Sequence, residues 1–222
     1  MNIYKQTKTG NTKLLLLFSG WAASPEVFRH LKTEPDTDLW ICHDYRTLDF
    51  DEKAISSCYK EVRLIAWSLG VWVAASVWSK RQTAFTEAIA IGGTPCPIHD
   101  QWGIPETIFR GTLDNITEEG IHRFNRRMCG SREQLKTYEQ ISPRPLVDIR
   151  KELENLYAEI KNTPAVSPLF DKWTYALIPS GDRIFPAENQ RAFWQNRCPV
   201  IEVDAPHYPF YLWTQWNEIW NR

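Results

Sequence analysis

The chain has 222 residues, of which 43% are hydrophobic and 24% are charged, as expected for a folded globular protein with one sizeable core. Its formal net charge is −1, so no overall positive field favours binding to nucleic acid or to an anionic membrane. The N-terminal stretch lacks the layout of a signal peptide, and its longest apolar run, residues 14–18, is too short to cross a bilayer, so we expect a cytoplasmic protein.

The five cysteines indicate neither a disulfide framework nor a metal site. They are odd in number, widely scattered and never spaced as Cys-x-x-Cys. This pattern is typical of reduced thiols in a cytosolic protein. The cysteines are Cys42, Cys58, Cys96, Cys129 and Cys198.

Along the chain, short apolar runs alternate with helical patterns. Continuous apolar runs predict strands that are covered on both faces, as in parallel sheets. The predicted strands are 14–18, 39–42, 62–66, 88–91, 175–178 and 200–203. The main helix candidates are about 25–32, 69–80, 186–196 and 209–221. This alternation predicts an α/β fold with a compact, doubly wound, mostly parallel sheet.

The stretch 97–168 interrupts this alternation, because it contains no convincing strand. Amphipathic patterns there predict helices over 118–128, 131–139 and 146–161. A helical insertion at this point is typical of a lid over the carboxyl ends of the strands, where α/β proteins bind ligands. We therefore predict a core formed by 1–96 and 169–222, with a helical lid formed by 97–168.

The pentapeptide Ala66-Trp67-Ser68-Leu69-Gly70 predicts a nucleophile elbow at Ser68. It follows a predicted strand and opens a predicted helix, which is the context that this tight turn requires. The helix N-terminus directs its free amides and positive dipole end at the reacting atom. The motif usually begins with glycine, and Ala66 adds only a methyl group there. The alternative is that Ser68 is simply the N-cap of an ordinary helix.

Two further residues complete a candidate catalytic triad. Asp182 follows the predicted strand 175–178 and a glycine, and a proline four residues later starts the predicted helix 186–196. His207 lies in the loop after the last predicted strand, 200–203, and is the one histidine of five with this setting. The order Ser68, Asp182, His207 is that of α/β-hydrolases. We therefore predict this fold, with the three residues as nucleophile, acid and base.

A serine hydrolase also needs amide donors that stabilise the oxyanion. One is expected to be the backbone N–H of Leu69, the residue after the nucleophile. The other is expected to be that of Trp21, because Gly20 lets the backbone of this loop approach the substrate closely. In the expected reaction His207 takes the proton of Ser68, and no metal or organic cofactor is needed.

Four segments carry a resemblance that extends over nearly the whole chain. They are Phe18-Ser19-Gly20-Trp21, His43-Asp44-Tyr45-Arg46, Ile65-Ala66-Trp67-Ser68-Leu69-Gly70-Val71-Trp72 and Asp204-Ala205-Pro206-His207-Tyr208-Pro209-Phe210. Together they resemble the BioG family of biotin-synthesis proteins. The resemblance implies a carboxylesterase that cleaves the methyl ester of pimeloyl-[acyl-carrier protein] to pimeloyl-[acyl-carrier protein] and methanol. It also implies the same triad and oxyanion donors, whereas Asp44-Tyr45-Arg46 looks characteristic of the family without a role that the sequence reveals.

An acyl carrier protein is acidic, so its esterase is expected to present basic residues near the entrance of the site. In the predicted helix 118–128, Arg123, Arg126 and Arg127 lie at positions i, i+3 and i+4 and share one face. This face is a candidate contact for the phosphopantetheine phosphate or for acidic carrier residues. The alternative is a solvated helix face, since clusters of this size are common.

Two other functions fit the same sequence. The first is a general short-chain carboxylesterase or thioesterase with the same triad. The second, of another class, is a catalytically inactive α/β-hydrolase-like ligand-binding protein, against which the intact Ser68, Asp182 and His207 argue. Neither charge nor motif supports a nucleic-acid or membrane partner, and the sequence indicates no oligomeric state.

Overall fold

A seven-stranded sheet organises the chain in the computed structural model, which describes residues 1–56, 59–79, 83–141, 143–163 and 170–221. The strands are β1 (Asn2–Gln6), β2 (Lys13–Phe18), β3 (Thr37–His43), β4 (Glu61–Trp67), β5 (Glu87–Ile91), β6 (Tyr175–Pro179) and β7 (Val200–Val203). Their spatial order is β1-β3-β2-β4-β5-β6-β7. Every neighbouring pair is parallel except β1 with β3. The predicted mostly parallel α/β sheet is therefore confirmed.

The strand β1 is the one strand that the sequence does not predict. Four of its five residues are exposed, so it has no buried face that would produce an apolar run or an alternating pattern. It joins the sheet by antiparallel pairing with β3 at the edge. By contrast, β2 is buried from Leu14 to Phe18, as expected for a strand that is covered on both faces.

The helices cover the sheet and fill the predicted insertion. They are α1 (Lys53–Ser56), α2 (Leu69–Val77), α3 (Glu106–Asp114), α4 (Glu118–Cys129), α5 (Arg132–Glu139), α6 (Leu146–Asn162) and α7 (Ala187–Trp194). Of these, α1 and α3 are absent from the sequence prediction. The candidate 69–80 ends at Val77 as a helix, and its last residue, Lys80, lies outside the described residues. None of the described helices is long and apolar enough to cross a bilayer.

The predicted C-terminal helix 209–221 is wrong. The segment contains two 3₁₀ turns, Phe210–Leu212 and Trp216–Ile219, with extended chain between them. This extended chain pairs with Lys32, whose amide donates to the Thr214 carbonyl at 2.9 Å. Because backbone groups of the segment form hydrogen bonds to another part of the chain, they are not available for a continuous α-helix.

The predicted helix 25–32 is reduced to one 3₁₀ turn, Pro25–Phe28. Its last residues, Val27 and Phe28, are buried. The turn cannot continue as a helix through Lys32, because the backbone of that residue is paired with the C-terminal segment.

The topology brings the predicted site residues to one edge of the sheet. The segments that carry Trp21, Ser68, Asp182 and His207 follow β2, β4, β6 and β7, and these strands are parallel. Their carboxyl ends therefore lie on the same side of the sheet. The helices α3 to α6 all lie between β5 and β6 in the chain. They lie within the predicted insertion 97–168, of which residues 142 and 164–168 lie outside the described residues.

Candidate active site

The turn after β4 holds Ser68 in a strained conformation. Its backbone has φ 58° and ψ −129°, a combination that residues other than glycine rarely adopt. The helix α2 begins at the next residue and passes close to the end of β2. A Cβ atom on Gly70 would lie 2.4 Å from the Phe18 and Ser19 carbonyl oxygens, so this position requires glycine. The turn forms with Ala66, which is fully buried, where the motif usually has glycine.

The structure brings the three predicted triad side chains into one hydrogen-bonded chain. The His207 Nε2 atom lies 2.8 Å from Ser68 Oγ, and His207 Nδ1 lies 2.7 Å from Asp182 Oδ2. All three residues are buried, with exposed fractions of 6%, 1% and 8% for Ser68, His207 and Asp182. Because burial lowers the local dielectric, the interaction between the carboxylate and the imidazole is stronger than in water.

Four donors surround the Asp182 carboxylate. The amides of Ile184 and Phe185 donate to Oδ1, each at 2.8 Å. The Oδ2 atom, which faces His207, also accepts from Gln190 Nε2 at 3.0 Å. Gln190 is fully buried on α7 and is a site residue that the sequence analysis misses. A glutamine four residues past a proline carries no local signal, because its role depends on how α7 packs beside β6.

The backbone of His207 is held by Trp67, the residue before the predicted nucleophile. The indole Nε1 of Trp67 donates to the His207 carbonyl at 2.9 Å, and the two ring centroids lie 5.5 Å apart. Trp67 is 1% exposed, so this bond is protected from water. The residue before the serine therefore helps to orient the loop that carries the histidine.

The loop after β2 lies directly beside Ser68. A Cβ atom on Gly20 would lie 3.2 Å from the Ser68 Cβ. Within the described chain, the backbone amides of Trp21 and Leu69 have no acceptor. Leu69 is the first residue of α2, and amides at a helix start have no partner within the helix. The two amides predicted as oxyanion donors are thus not engaged by other groups of the described chain.

A narrow apolar cavity opens at Ser68. Its volume is about 40 Å³, and its walls include Trp21, Leu69 and residues of the insertion. The insertion residues come from α3, α4 and α6 and are mostly apolar; they include Ile108, Phe109, Phe124, Met128 and Leu153. The small volume and the apolar walls favour a slim apolar group over a large polar one. Apolar walls with a few placed polar groups are typical of small-molecule sites.

An open groove of about 500 Å³ between α3 and α4 lies outside this cavity and shares four residues with it: Ile108, Thr112, Phe124 and Arg127. The three predicted arginines line the groove. Arg123 pairs with Glu119 at 2.5 Å on the exposed surface. Arg126 and Arg127 are exposed and have no acidic partner among the described residues. The free basic charge therefore lies at the mouth of the site.

Metal binding and cysteine chemistry were the other two kinds of reactive site to consider among the described residues. Among the described residues, no group of three or more histidine, cysteine, aspartate or glutamate side chains could hold a metal ion. The cysteines at 42, 96, 129 and 198 are unpaired, whereas Cys58 lies outside the described residues. Burial raises the pKa of the Cys129 thiol to about 12 and that of Cys198 to about 11. These thiols are therefore poor nucleophiles at neutral pH.

The family model for pimeloyl-ACP methyl esterase BioG matches residues 1–219 of the chain. The chain belongs to the BioG family. A crystal structure of BioG from Haemophilus influenzae is similar over the whole of both chains, with a TM-score of 0.91 and 37% identity. BioG membership, together with this fold, makes the chain an α/β-hydrolase of the esterase class.

Three other proteins are similar to this chain in sequence or in fold. An uncharacterized protein of Haemophilus influenzae is 38% identical over 208 residues, which are 94% of each chain. A malonyl-[acyl-carrier protein] O-methyltransferase of Bacteroides fragilis is 40% identical over 87% of this chain, although the match spans only 39% of that longer protein. MGS-M2, an α/β hydrolase from a deep-sea metagenome library, has a TM-score of 0.63 at 12% identity, over 95% of this chain and 89% of its own, which indicates a shared fold.

Proposed function

We propose that this chain is a serine carboxylesterase that hydrolyses the methyl ester of pimeloyl-[acyl-carrier protein] in biotin synthesis. The observation that carries the proposal is the hydrogen-bonded chain from Ser68 through His207 to Asp182, at the mouth of an apolar cavity. A hydroxyl, an imidazole and a carboxylate in this order are the constellation that acyl transfer by serine requires.

The reaction begins when Ser68 Oγ attacks the ester carbonyl and His207 Nε2 takes its proton. The amides of Trp21 and Leu69 stabilise the negative charge that forms on the carbonyl oxygen. His207 then gives the proton to the leaving methoxide, so methanol departs and an acyl-enzyme is left on Ser68. Throughout, Asp182 holds the imidazole in the tautomer with a proton on Nδ1.

The second half of the reaction repeats these steps with water. His207 takes a proton from water as the water oxygen attacks the carbonyl carbon of the acyl-enzyme. The negative charge that forms on the carbonyl oxygen is again stabilised by the amides of Trp21 and Leu69. The C–O bond to Ser68 breaks, His207 returns the proton to Ser68, and the free acid is released and ionises in water. No metal or organic cofactor enters this scheme.

The cavity and the groove support a long substrate that enters by its methyl-ester end. The narrow cavity of about 40 Å³ suits a slim ester end, and the open groove of about 500 Å³ leaves room outside for a bulky group. Exposed Arg126 and Arg127 at this groove match a phosphate or an acidic carrier. The relative in Bacteroides fragilis is named as a methyltransferase of an acyl-carrier-protein substrate, which fits a carrier-bound methyl ester as the substrate here.

The segment 97–168 is proposed to act as a lid. Its helices supply much of the cavity wall, including Phe109 of α3 and Phe124 of α4. If these helices move apart, the cavity opens towards the groove; if they close, water is excluded from the reacting ester.

The decisive experiment incubates purified protein with the methyl ester of pimeloyl-[acyl-carrier protein] and measures the free acid. Ser68→Ala is expected to retain only the roughly 10³–10⁴-fold enhancement over water that survives loss of a triad residue. Ser76→Ala, which removes a hydroxyl from the same helix, is the control and is expected to retain full activity. A fluorophosphonate probe should label the wild type and Ser76→Ala but not Ser68→Ala.

The alternatives give different results in the same assay. If free monomethyl pimelate or p-nitrophenyl esters are cleaved as efficiently as the carrier-bound ester, the chain is a general esterase or thioesterase. If none of these esters is cleaved and the fluorophosphonate probe does not label the protein, the chain is a ligand-binding protein without catalytic activity, and the proposal is wrong.

A further inference from the structure

The segment Asp44-Tyr45-Arg46 after β3 contacts one face of the helix α6. Three side chains of α6, at positions i, i+4 and i+7, reach it. Asp148 accepts from Arg46 at 2.5 Å, Glu152 Oε1 accepts from the Tyr45 amide at 3.0 Å, and Asn155 Nδ2 donates to the Tyr45 carbonyl at 2.9 Å. The backbone of Tyr45 is thus bound to α6 through both its amide and its carbonyl.

The same carboxylate also reaches the loop that carries the proposed oxyanion donor. The Glu152 Oε2 atom accepts from the Ala22 amide at 3.3 Å and from Arg144 at 2.6 Å. Glu152 is fully buried. Burial raises the pKa of its carboxyl, while Arg144 and the amides of Tyr45 and Ala22 lower it. Burying a carboxylate costs free energy, which the hydrogen bonds from these donors and the charge of Arg144 offset.

The Tyr45 side chain holds the other end of this loop. Its hydroxyl lies 2.8 Å from the Ser19 carbonyl and 3.0 Å from the Cys42 carbonyl, and the residue is fully buried. The loop 19–22 is therefore fixed on both sides of Trp21, by Tyr45 at Ser19 and by Glu152 at Ala22.

The loop needs these restraints because its backbone is strained. Ala22 has φ 63°, a left-handed conformation that costs alanine about 1 kcal/mol or more. In addition, the Trp21 indole donates to the Ile149 carbonyl of α6 at 2.9 Å. These contacts hold the backbone on both sides of Trp21 in this conformation.

We propose that Tyr45 and Glu152 are positioning residues for the oxyanion hole, and that Asp44-Tyr45-Arg46 docks the loop 19–22 against α6 so that the Trp21 amide points at the reacting carbonyl. This inference rests on the proposed serine mechanism. The helix α6 is then part of the catalytic framework as well as a wall of the cavity.

The test compares Tyr45→Phe with Tyr175→Phe. Both variants remove one buried tyrosine hydroxyl that donates to a backbone carbonyl, but Tyr175, at the start of β6, donates to Ile219 and not to the loop 19–22. We expect Tyr45→Phe to lower kcat for p-nitrophenyl butyrate by roughly tenfold or more, since loss of a whole oxyanion donor costs about 10²–10³. KM should change less than about twofold. Tyr175→Phe should lower the melting temperature similarly and leave kcat unchanged.

A second readout separates positioning from stability. A trifluoromethyl ketone adds to serine and places an oxyanion in the hole, whereas the corresponding methyl ketone reports binding without addition. The Ki of the trifluoromethyl ketone should rise with the loss of kcat in Tyr45→Phe and in Glu152→Gln, while that of the methyl ketone stays constant. If Tyr45→Phe behaves like Tyr175→Phe in kcat and Ki, the inference is overturned, even if Glu152→Gln fails to fold.

Failure of this inference differs from failure of the proposed function. A wild-type protein that shows no Ser68-dependent hydrolysis and no fluorophosphonate labelling overturns the proposed function, and the positioning role with it. An active wild type with an unimpaired Tyr45→Phe overturns the positioning role alone.

Discussion

Replacing Asp182 by asparagine tests how the proposed triad depends on a carboxylate. Each oxygen of Asp182 accepts two hydrogen bonds: Oδ1 from the amides of Ile184 and Phe185, and Oδ2 from His207 and Gln190. An asparagine side chain has one oxygen and one NH₂ group. One of the two pairs of donors must therefore meet the NH₂ group, which is itself a donor, in place of a carboxylate oxygen.

The two orientations of the asparagine have different costs. If its NH₂ group faces the two backbone amides, two fixed donors are unmet, at about 1–3 kcal/mol each. If the NH₂ group faces His207 instead, the side chain of Gln190 can turn over to present its oxygen, which has no partner within the described residues. This turn costs one hydrogen bond, the one that Gln190 Nε2 donates to the Phe185 carbonyl, and leaves both backbone amides paired. His207 must then accept at Nδ1 and carry its proton on Nε2, where it can no longer take the proton of Ser68. We therefore expect the second orientation.

The expected result is a loss of kcat of roughly 10⁴-fold, as for other triads with this substitution, with a loss of stability of only about 1–3 kcal/mol. Steady-state hydrolysis of p-nitrophenyl butyrate measures the first quantity, and urea unfolding measures the second. Asp204→Asn, at an exposed position near His207, is the control and should change stability by less than about 0.5 kcal/mol. An Asp182→Asn variant with kcat within about tenfold of the wild type would refute the proposed role of the carboxylate.

Three further predictions test the turn, the groove and the nucleophile. Gly70→Ala should unfold the protein or destabilise it by more than about 3 kcal/mol, since its Cβ would lie 2.4 Å from fixed backbone oxygens at the end of β2. The control Gly111→Ala, with no atom within 4 Å of the new Cβ, should stabilise α3 by about 0.5–1 kcal/mol. Equal melting temperatures of the two variants would contradict the argument. Arg126→Glu, which lies in the groove and not in the cavity, should raise KM for the carrier-bound ester by roughly tenfold, most strongly at low salt, and leave small esters unaffected. Lys172→Glu, before β6, should change neither. The Cys198 thiol has a pKa of about 11, so at pH 8 only about one part in a thousand is ionised. Iodoacetamide, which reacts with the thiolate, should therefore not inactivate the enzyme. Rapid inactivation that follows alkylation of Cys198 would argue against a serine nucleophile.

The sequence predicts the sheet well because its strands are buried on both faces. A short continuous apolar run such as that of β2 is typical of a strand buried on both faces, and the six strands so predicted are present. Where burial is one-sided or absent, the prediction fails. The exposed edge strand β1 has no apolar pattern, and the aromatic C-terminal segment has the composition of a buried helix but is held in an extended form by Lys32.

The positions of Ser68, Asp182 and His207, each after a strand, are predictable from the sequence, because each strand and the turn after it depend on neighbouring residues. The side chains that support these three residues are not predictable in this way, because they come from distant parts of the chain. Gln190 reaches Asp182 because α7 packs beside β6, and Glu152 reaches Tyr45 across 107 positions of the chain. No local pattern reports such contacts, because the periodicity of a helix indicates which face is buried but not which residues that face meets.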